Sequence, residues 1–372
     1  MTPHVFVPTH GGQLRQIAAR YGVTLEELVD FSSNINPAGP PASAFAALQQ
    51  ALADPATLTA YPDIESAELK DVLADATNIL PENIAISNGF VPLLEAALRS
   101  LKVTRCLLPV PSFSEYRRTL EDAGTMVIPY HLSQEDSFFY QPDSLVRALL
   151  EHGCDAILLA NPQNPSGVIC DPEQMRSLIS MAAQHEITVL LDEAFMDYAP
   201  ASSMTGGSLE YENLFVFRSV TKFWAIPGLR VAYTVGSAPS IQKLNRSIAP
   251  WPVTTLASLA VCAALKDDAY AEATRRENTL RRSWLLPQLA RLNIATYPSS
   301  TNFLLLRFAE HLDIHLLWEK MIAEEQIVLR SCLNFEALSA GHLRIAVRSD
   351  AENERLVHAL ERILARMNKR QV

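Results

Sequence analysis

The segment Ser219-Val220-Thr221-Lys222-Phe223-Trp224-Ala225-Ile226-Pro227-Gly228-Leu229-Arg230 sets one lysine among side chains suited to a phosphate. A lysine amine attacks a carbonyl only when neutral, and it reaches that state near neutral pH where partial burial and neighbouring cations disfavour its charged form. Arg230, eight residues on, carries a permanent charge on a planar fork that matches a phosphate bidentately. Ser219 and Thr221 add short hydroxyl donors on the turn before the lysine. The set describes a phosphorylated aldehyde held covalently by Lys222, which is pyridoxal 5'-phosphate (PLP). Taken alone, Lys222 and Arg230 would read as ordinary surface cations on a Pro-Gly loop, so the assignment depends on the rest of the chain.

Asp192 lies thirty residues earlier, closing the apolar run Ile187-Thr188-Val189-Leu190-Leu191. A carboxylate there can hold a pyridine nitrogen protonated, which makes the ring an electron sink for a substrate α-carbon; any strand end could also carry an aspartate as a cap. Asn161-Pro162-Gln163-Asn164-Pro165-Ser166-Gly167 is a tight turn at another strand end, where the Asn164 amide could donate to the ring oxygen.

These residues need a scaffold that brings strand ends together. From about Ser43 to Gly236 helical patches alternate with short apolar runs. Helices are expected at Ala44 to Leu52, Val91 to Leu101, Glu115 to Ala123, Leu145 to Glu151 and Met175 to His185. Strands are expected at Val103 to Leu108, Met126 to Tyr130, Ala156 to Ala160, Thr188 to Leu191, Leu214 to Phe217 and Val231 to Val235. Strands apolar on both faces between helices indicate an α/β fold with a mostly parallel central sheet, and ligands bind beyond the carboxyl ends of such strands. After Pro250-Trp251-Pro252 the pattern becomes α+β, with long helices at Leu256 to Leu265 and Tyr270 to Leu289. Strands at Ile294 to Tyr297, Phe303 to Leu306 and Leu343 to Val347 and helices at Leu312 to Glu324 and Glu352 to Met367 complete it. The expected organisation is a large PLP-binding domain over residues 43–250 and a small domain formed by residues 251–372 with an N-terminal arm, residues 1–42.

The 372 residues suffice for about two domains, and 48% hydrophobic with 19% charged residues indicates a globular enzyme rather than a disordered chain. A formal charge of −10 argues against a general nucleic-acid binder but permits a local basic pocket. No apolar run reaches the length of a membrane span, and Met1-Thr2-Pro3-His4 lacks a basic region followed by an apolar core, so a cytoplasmic location is expected. Cys106, Cys154, Cys170, Cys262 and Cys332 form no C-x-x-C pair, which indicates reduced thiols and no metal site.

Jointly, in this order and spacing, the motifs resemble the class I/II aminotransferase family of fold type I PLP enzymes, from Asp30 to the C-terminus. The resemblance implies that Lys222 holds the cofactor and later shuttles a proton, with Asp192 at the pyridinium and Asn164 at the ring oxygen. Ser219, Thr221 and Arg230 would hold the phosphate, together with backbone amides at Asn88, Gly89 and Phe90. Phe113 matches the aromatic that stacks on the ring, and Tyr61 a tyrosine reaching the phosphate in the neighbouring subunit of a homodimer. Arg344 matches the arginine that grips the substrate carboxylate. Two departures are Phe195, where many relatives place a tyrosine on the ring oxygen, and Ala232, where a glycine is usual.

Two branches of the family act on phosphorylated substrates, the histidinol-phosphate aminotransferases and the L-threonine O-3-phosphate decarboxylases of cobalamin biosynthesis. His10-Gly11-Gly12, Asp30-Phe31-Ser32-Ser33-Asn34-Ile35-Asn36-Pro37, Leu329-Arg330-Ser331-Cys332 and Arg344-Ile345-Ala346-Val347-Arg348-Ser349 resemble the decarboxylases more closely. That implies a substrate-phosphate pocket from His10, Asn34, Arg330 and Arg348, although Arg348 could instead pair with Asp350. The run Gly89-Phe90-Val91-Pro92-Leu93 departs from the decarboxylase pattern, and Pro92 offers no N–H. Decarboxylation, transamination and binding without turnover remain distinct expectations; the intact Lys222, Asp192 and Arg230 set argues against the last.

Overall fold

In the computed structural model, residues 6–369 are described, with side chains through Met367; the outermost residues of the expected arm and small domain lie outside this range. The central sheet has seven strands in the order Ile84–Ser87, Ala232–Val235, Leu214–Ser219, Thr188–Asp192, Ala156–Ala160, Arg105–Val110 and Met126–His131. Every neighbouring pair is parallel except the two made by Ala232–Val235. Ala156-Ile157-Leu158-Leu159-Ala160 is buried throughout, as a strand covered by helices on both faces must be.

Four of the helices start where a side chain satisfies a first free amide. Pro172–Gln184 opens with Asp171 accepting from the amides of Glu173 at 2.8 Å and Gln174 at 3.3 Å, and Pro172 occupies the first turn where no donor is needed. Asp267 caps Asp268–Arg291 and Asp313 caps Ile314–Glu325 in the same way.

The expected helices and strands are present, with ends shifted by a few residues. Others were not expected: the strand Ile84–Ser87, the helices Leu14–Tyr21 and Ala67–Thr77, and the two-residue strands Val29–Asp30, Ile327–Val328 and Arg330–Ser331. Ile84–Ser87 is only four residues long, and its identity as a strand comes from its pairing with Ala232–Val235. The arm likewise takes its shape from its partners. Val29–Asp30 pairs in parallel with Ile327–Val328, and Ile17, Ala18 and Phe31 enter a core with Trp318, Ile345 and Leu360.

A four-stranded sheet, Arg330–Ser331, His342–Ala346, Phe303–Arg307 and Ala295–Thr296, carries the last helix, Asp350–Lys369. The expected boundary near residue 250 cuts across a continuous core. Val253, Ala257, Ala260 and Val261 pack with Ala44, Leu69, Val72 and Val235.

Trp318 anchors the core shared by the arm and the C-terminal helices: it is buried, and its indole N–H donates to the Leu329 carbonyl at 2.7 Å. Trp318→Ala should lower unfolding free energy by about 3–5 kcal/mol, read from the midpoint of a urea denaturation curve.

Candidate active site

The carboxyl ends of the parallel strands point at a cavity of about 440 Å³. Asp192 ends one strand and Ser219 the next, Asn164 follows Ala160 closely, and Phe113 follows Val110 closely. His10, Asn34, Gly89, Phe90, Phe113, Asn164, Asp192, Ser219, Thr221, Lys222, Arg230, Arg330 and Arg344 all line this one cavity. Residues spread over more than 330 positions are therefore brought together, because parallel strands end on one edge and the arm folds back over it.

Lys222 is half-buried at this edge, and its amine is lowered from 10.5 to about 8. Burial is the main cause, the guanidinium charges of Arg344 and Arg230 add to it, and Asp192 opposes it. At pH 7 roughly a tenth of the amine is neutral, against roughly one part in three thousand for an unperturbed lysine. Main-chain contacts hold the segment in place: the Asn36 amide donates to the Lys222 carbonyl at 3.1 Å, and the buried Asn36 side chain donates to the Phe223 carbonyl at 3.0 Å.

Asp192 is buried, and desolvation raises its carboxyl from 3.8 to about 6 against the opposing effect of its hydrogen bonds and Lys222. Its Oδ1 accepts from the Ala194 amide at 2.8 Å and its Oδ2 from the Tyr116 hydroxyl at 2.5 Å. Asn164 Oδ1 accepts from Arg344 Nη1 at 2.7 Å, which leaves Nδ2 as the donor end for a ring oxygen.

The phosphate end is built around Gly89. Its φ is +93°, and a Cβ there would lie 2.8 Å from Arg230 Nη2, so only glycine lets that guanidinium sit against the loop. The Gly89 amide is already donated to the Ser87 carbonyl at 2.8 Å. Phe90 and Val91 contribute first-turn amides of the helix Phe90–Leu101, where no intrahelical acceptor exists, and Pro92 contributes none. The Ser219 and Thr221 hydroxyls lie 2.8 Å apart beside Arg230. This donor set fits PLP: a tight cationic cradle, a carboxylate for the pyridine nitrogen, an amide for the ring oxygen and a weakly basic amine.

Arg330 and Arg344 form the second cationic pole. Both are buried, at 4% and 6% exposure, and among the described residues neither has a carboxylate within ion-pair distance. Arg344, which lines the cavity, donates from Nη2 to the Ser32 carbonyl at 3.3 Å, and its buried Nε has no partner. Burial and the charge of Arg330 lower its pKa to about 9. Arg330 is committed to the arm, donating to the Pro8 carbonyl at 3.0 Å, the Thr9 carbonyl at 2.9 Å and Asn334 Oδ1 at 2.9 Å.

Two expected residues lie outside the cavity lining, and Tyr61, expected at the neighbouring subunit's site, lies outside its own chain's cavity. Arg348 is outside the cavity lining and donates to Glu352 Oε1 through Nε at 3.0 Å and Nη2 at 2.7 Å, because it lies just before the helix Asp350–Lys369 whose first turn carries Glu352; it does not pair with Asp350, which instead faces Arg281. Asn88 is exposed and its side chain is not part of the lining. Tyr61 is 82% exposed, away from its own chain's cavity, and stacks on Trp251 at 5.0 Å.

Two residues went unrecognised in the sequence. Glu115 lines the cavity with its Oε1 3.1 Å from His10 Nε2. Tyr116 lies behind Phe113 and reaches Asp192. The spacing Phe113, Tyr116 at a helix start was the available signal, since residues three apart share a helix face. Phe195 lines the cavity with a hydrocarbon ring, so the contact of the usual tyrosine is absent. Ala232, where glycine is usual, is accommodated as a buried residue of the edge-proximal strand.

A fold of this topology carrying this site is that of a fold type I PLP enzyme, and comparison with known families agrees. The aminotransferase class I and II family matches residues 26–360, and the chain belongs to that family. Threonine-phosphate decarboxylase of Salmonella typhimurium is 34% identical over 366 residues, covering 97% of this chain and 98% of its own. Histidinol-phosphate aminotransferase of Methylobacillus flagellatus is 27% identical, covering 95% and 94%. Among solved structures, histidinol-phosphate aminotransferase from Clostridium acetobutylicum superposes with a TM-score of 0.84 at 27% identity, covering 91% of this chain and all of that one.

The lowered amine predicts how the chain takes up PLP. Covalent trapping by PLP with borohydride should accelerate with pH through a midpoint near 8 rather than near 10.5, because only the neutral amine attacks. Mass spectrometry should locate the adduct on Lys222, and Lys222→Ala should carry none; an adduct on another lysine would refute the assignment.

Proposed function

We propose that this chain is a PLP-dependent decarboxylase that converts L-threonine O-3-phosphate to (R)-1-aminopropan-2-yl phosphate, in the side-chain branch of cobalamin biosynthesis. One observation carries the reading: two buried arginines without carboxylate partners, Arg330 and Arg344, face the same cavity as Lys222. Buried cations call for anions. Once the cofactor phosphate is assigned to the Gly89 and Arg230 cradle, a substrate bearing both a carboxylate and a phosphate satisfies the other pole. The 34% identity to a threonine-phosphate decarboxylase over nearly the whole chain supports the same substrate class.

When bound, PLP supplies a carbonyl that accepts the substrate amine and a protonated ring that withdraws electrons from the α-carbon. The residues of this chain supply orientation and protons. Arg344, held by Asn164 Oδ1 on one side and the Ser32 carbonyl on the other, presents its remaining donors to the substrate carboxylate. Arg330 contributes its charge and, through Pro8 and Thr9, keeps the arm with His10 closed over the cavity. Asn34, buried with an unpartnered Oδ1, lies beside it in the lining. We assign the substrate phosphate to this side of the cavity, with His10 and Asn34 among its contacts. Which bond at the α-carbon is labile depends on which stands perpendicular to the ring plane, and anchoring the substrate at both anionic ends sets that rotation. For decarboxylation the carboxylate carbon leaves as CO2, and Lys222 returns a proton to the α-carbon.

The second reading is a histidinol-phosphate-type aminotransferase using 2-oxoglutarate and glutamate. It is favoured by the Methylobacillus flagellatus and Clostridium acetobutylicum relatives that bear that name. In it Lys222 removes the α-hydrogen instead, and Arg344 serves the carboxylate of the amino donor. A related amino acid, without a phosphate, would need the same carboxylate contact.

We assign the active unit to a homodimer. Tyr61, 82% exposed and stacked on the exposed Trp251, is free to reach the phosphate cradle of a second copy. The partners are otherwise a small phosphorylated amino acid, with neither nucleic acid nor membrane. Among the described residues no helix is long and apolar enough to cross a membrane, and no cluster of ligands for a metal ion occurs. Five buried free cysteines accord with a cytoplasmic location.

Purified protein loaded with PLP and given L-threonine O-3-phosphate should release CO2 with no keto acid present. Turnover that depends on 2-oxoglutarate would replace this reading with the aminotransferase. Arg344→Ala should weaken substrate binding by roughly 2–5 kcal/mol if the guanidinium holds a buried carboxylate. A near-normal KM would end that role.

A further inference from the structure

We infer that Tyr116 is the positioning residue that keeps Asp192 ionised and aimed at the cofactor, while also backing the aromatic wall of the site. The inference rests on the PLP assignment of the cavity. Tyr116 lies in the helix Ser114–Asp122, outside the cavity lining, and is almost wholly buried. Its hydroxyl donates to Asp192 Oδ2 at 2.5 Å, and the Ala194 amide donates to Oδ1 at 2.8 Å. Both carboxylate oxygens are thus tied to donors on different elements, so the carboxylate plane cannot rotate without breaking one bond. The Tyr116 ring also packs edge-on to Phe113, with centroids 5.6 Å apart at 89°, and is 5.6 Å from Phe90. Phe113 and Phe90 both line the cavity. One side chain therefore supports the carboxylate expected at the pyridine nitrogen and the aromatic expected on the ring face.

The direction of the electrostatic effect follows from the geometry. Burial by itself would protonate Asp192, and a hydrogen bond from Tyr116 favours its charged form. Burial and the Asp192 charge push the Tyr116 phenol well above 10, so it remains a donor throughout the working range of pH. The other ionisable groups acting on this carboxylate are Lys222, whose cation favours the ionised form, and Tyr140, whose hydroxyl is spent on the Ala160 carbonyl at 2.7 Å. Among these neighbours, only Tyr116 both touches Asp192 and reaches the aromatic wall.

The experiment measures PLP affinity of the apoprotein by fluorescence across pH 5 to 8.5. In the unaltered chain affinity should fall on the acid side as Asp192, with a pKa of about 6, takes up its proton. Tyr116→Phe keeps the ring and removes the donor. Losing a hydrogen bond to a charged group moves its pKa by roughly one unit or more. The acid limb should therefore move up by about one pH unit, making binding near pH 6 several-fold weaker while binding at pH 8.5 changes little. Tyr140→Phe, which removes another buried hydroxyl, should leave the limb in place and controls for general loosening. An acid limb unmoved in Tyr116→Phe, or moved equally in Tyr140→Phe, would overturn the inference. Failure of the unaltered chain to take up PLP at any pH would overturn the cofactor reading itself.

Discussion

A lysine amine held poorly solvated beside two guanidinium groups is the constraint around which the rest of this structure is arranged. Arg344 and Arg230 both line the cavity, and both disfavour the Lys222 ammonium. Such an arrangement is costly, since like charges repel and desolvation opposes each of them. It persists because the surrounding elements are packed independently of it. Lys222 sits between the strand Leu214–Ser219, buried as far as Arg218, and the arm, which contacts its main chain through Asn36.

The parallel sheet gives that arrangement its precision. Strands in register end on one edge, so the last residues of Thr188–Asp192 and Leu214–Ser219 present side chains to the same space. The loop after Leu214–Ser219 carries Arg230 along this edge, beside Gly89, where a glycine alone permits close approach of the guanidinium, before the antiparallel strand Ala232–Val235 leads the chain away. The residues that face a small ligand are thereby fixed by backbone geometry more than by side-chain contacts. Asp192, with both oxygens bound by neighbours, and the Asn164–Arg344 pair are held by side-chain contacts as well.

The substrate side is organised differently, by the arm and the C-terminal sheet. Arg330 spends its Nη1 and Nη2 donors on the arm carbonyls of Pro8 and Thr9, on the Ser331 carbonyl and on Asn334 Oδ1, so its contribution to a ligand is its charge and the closure it maintains. Gly11 fits against Ser32, where a Cβ would lie 2.2 Å from the Ser32 carbonyl oxygen. Arm, Arg330 and the 30–34 segment therefore form one wall. The cavity acquires two cationic poles because this wall meets the edge of the central sheet.

Much of the cofactor side could be read along the chain. The order Asn164, Asp192, Lys222, Arg230 and the apolar runs preceding them depend on local chemistry, since a strand end followed by a turn with a polar residue is encoded within a few positions. The parallel sheet followed from the same alternation. What only the folded chain decided were relations between distant segments. Tyr116 touches Asp192 across 76 positions, and Arg330 meets Pro8 across 322. Arg348, close in sequence to Arg344, turns away to Glu352 in the first turn of the helix that follows it. Strands of two to four residues, such as Ile84–Ser87 and Val29–Asp30, are likewise defined by their partners, because so short a segment carries too little periodicity to declare itself. Residue type and local spacing were sufficient for the chemistry held on consecutive strand ends; which charges remain unpaired in the cavity depended on tertiary packing.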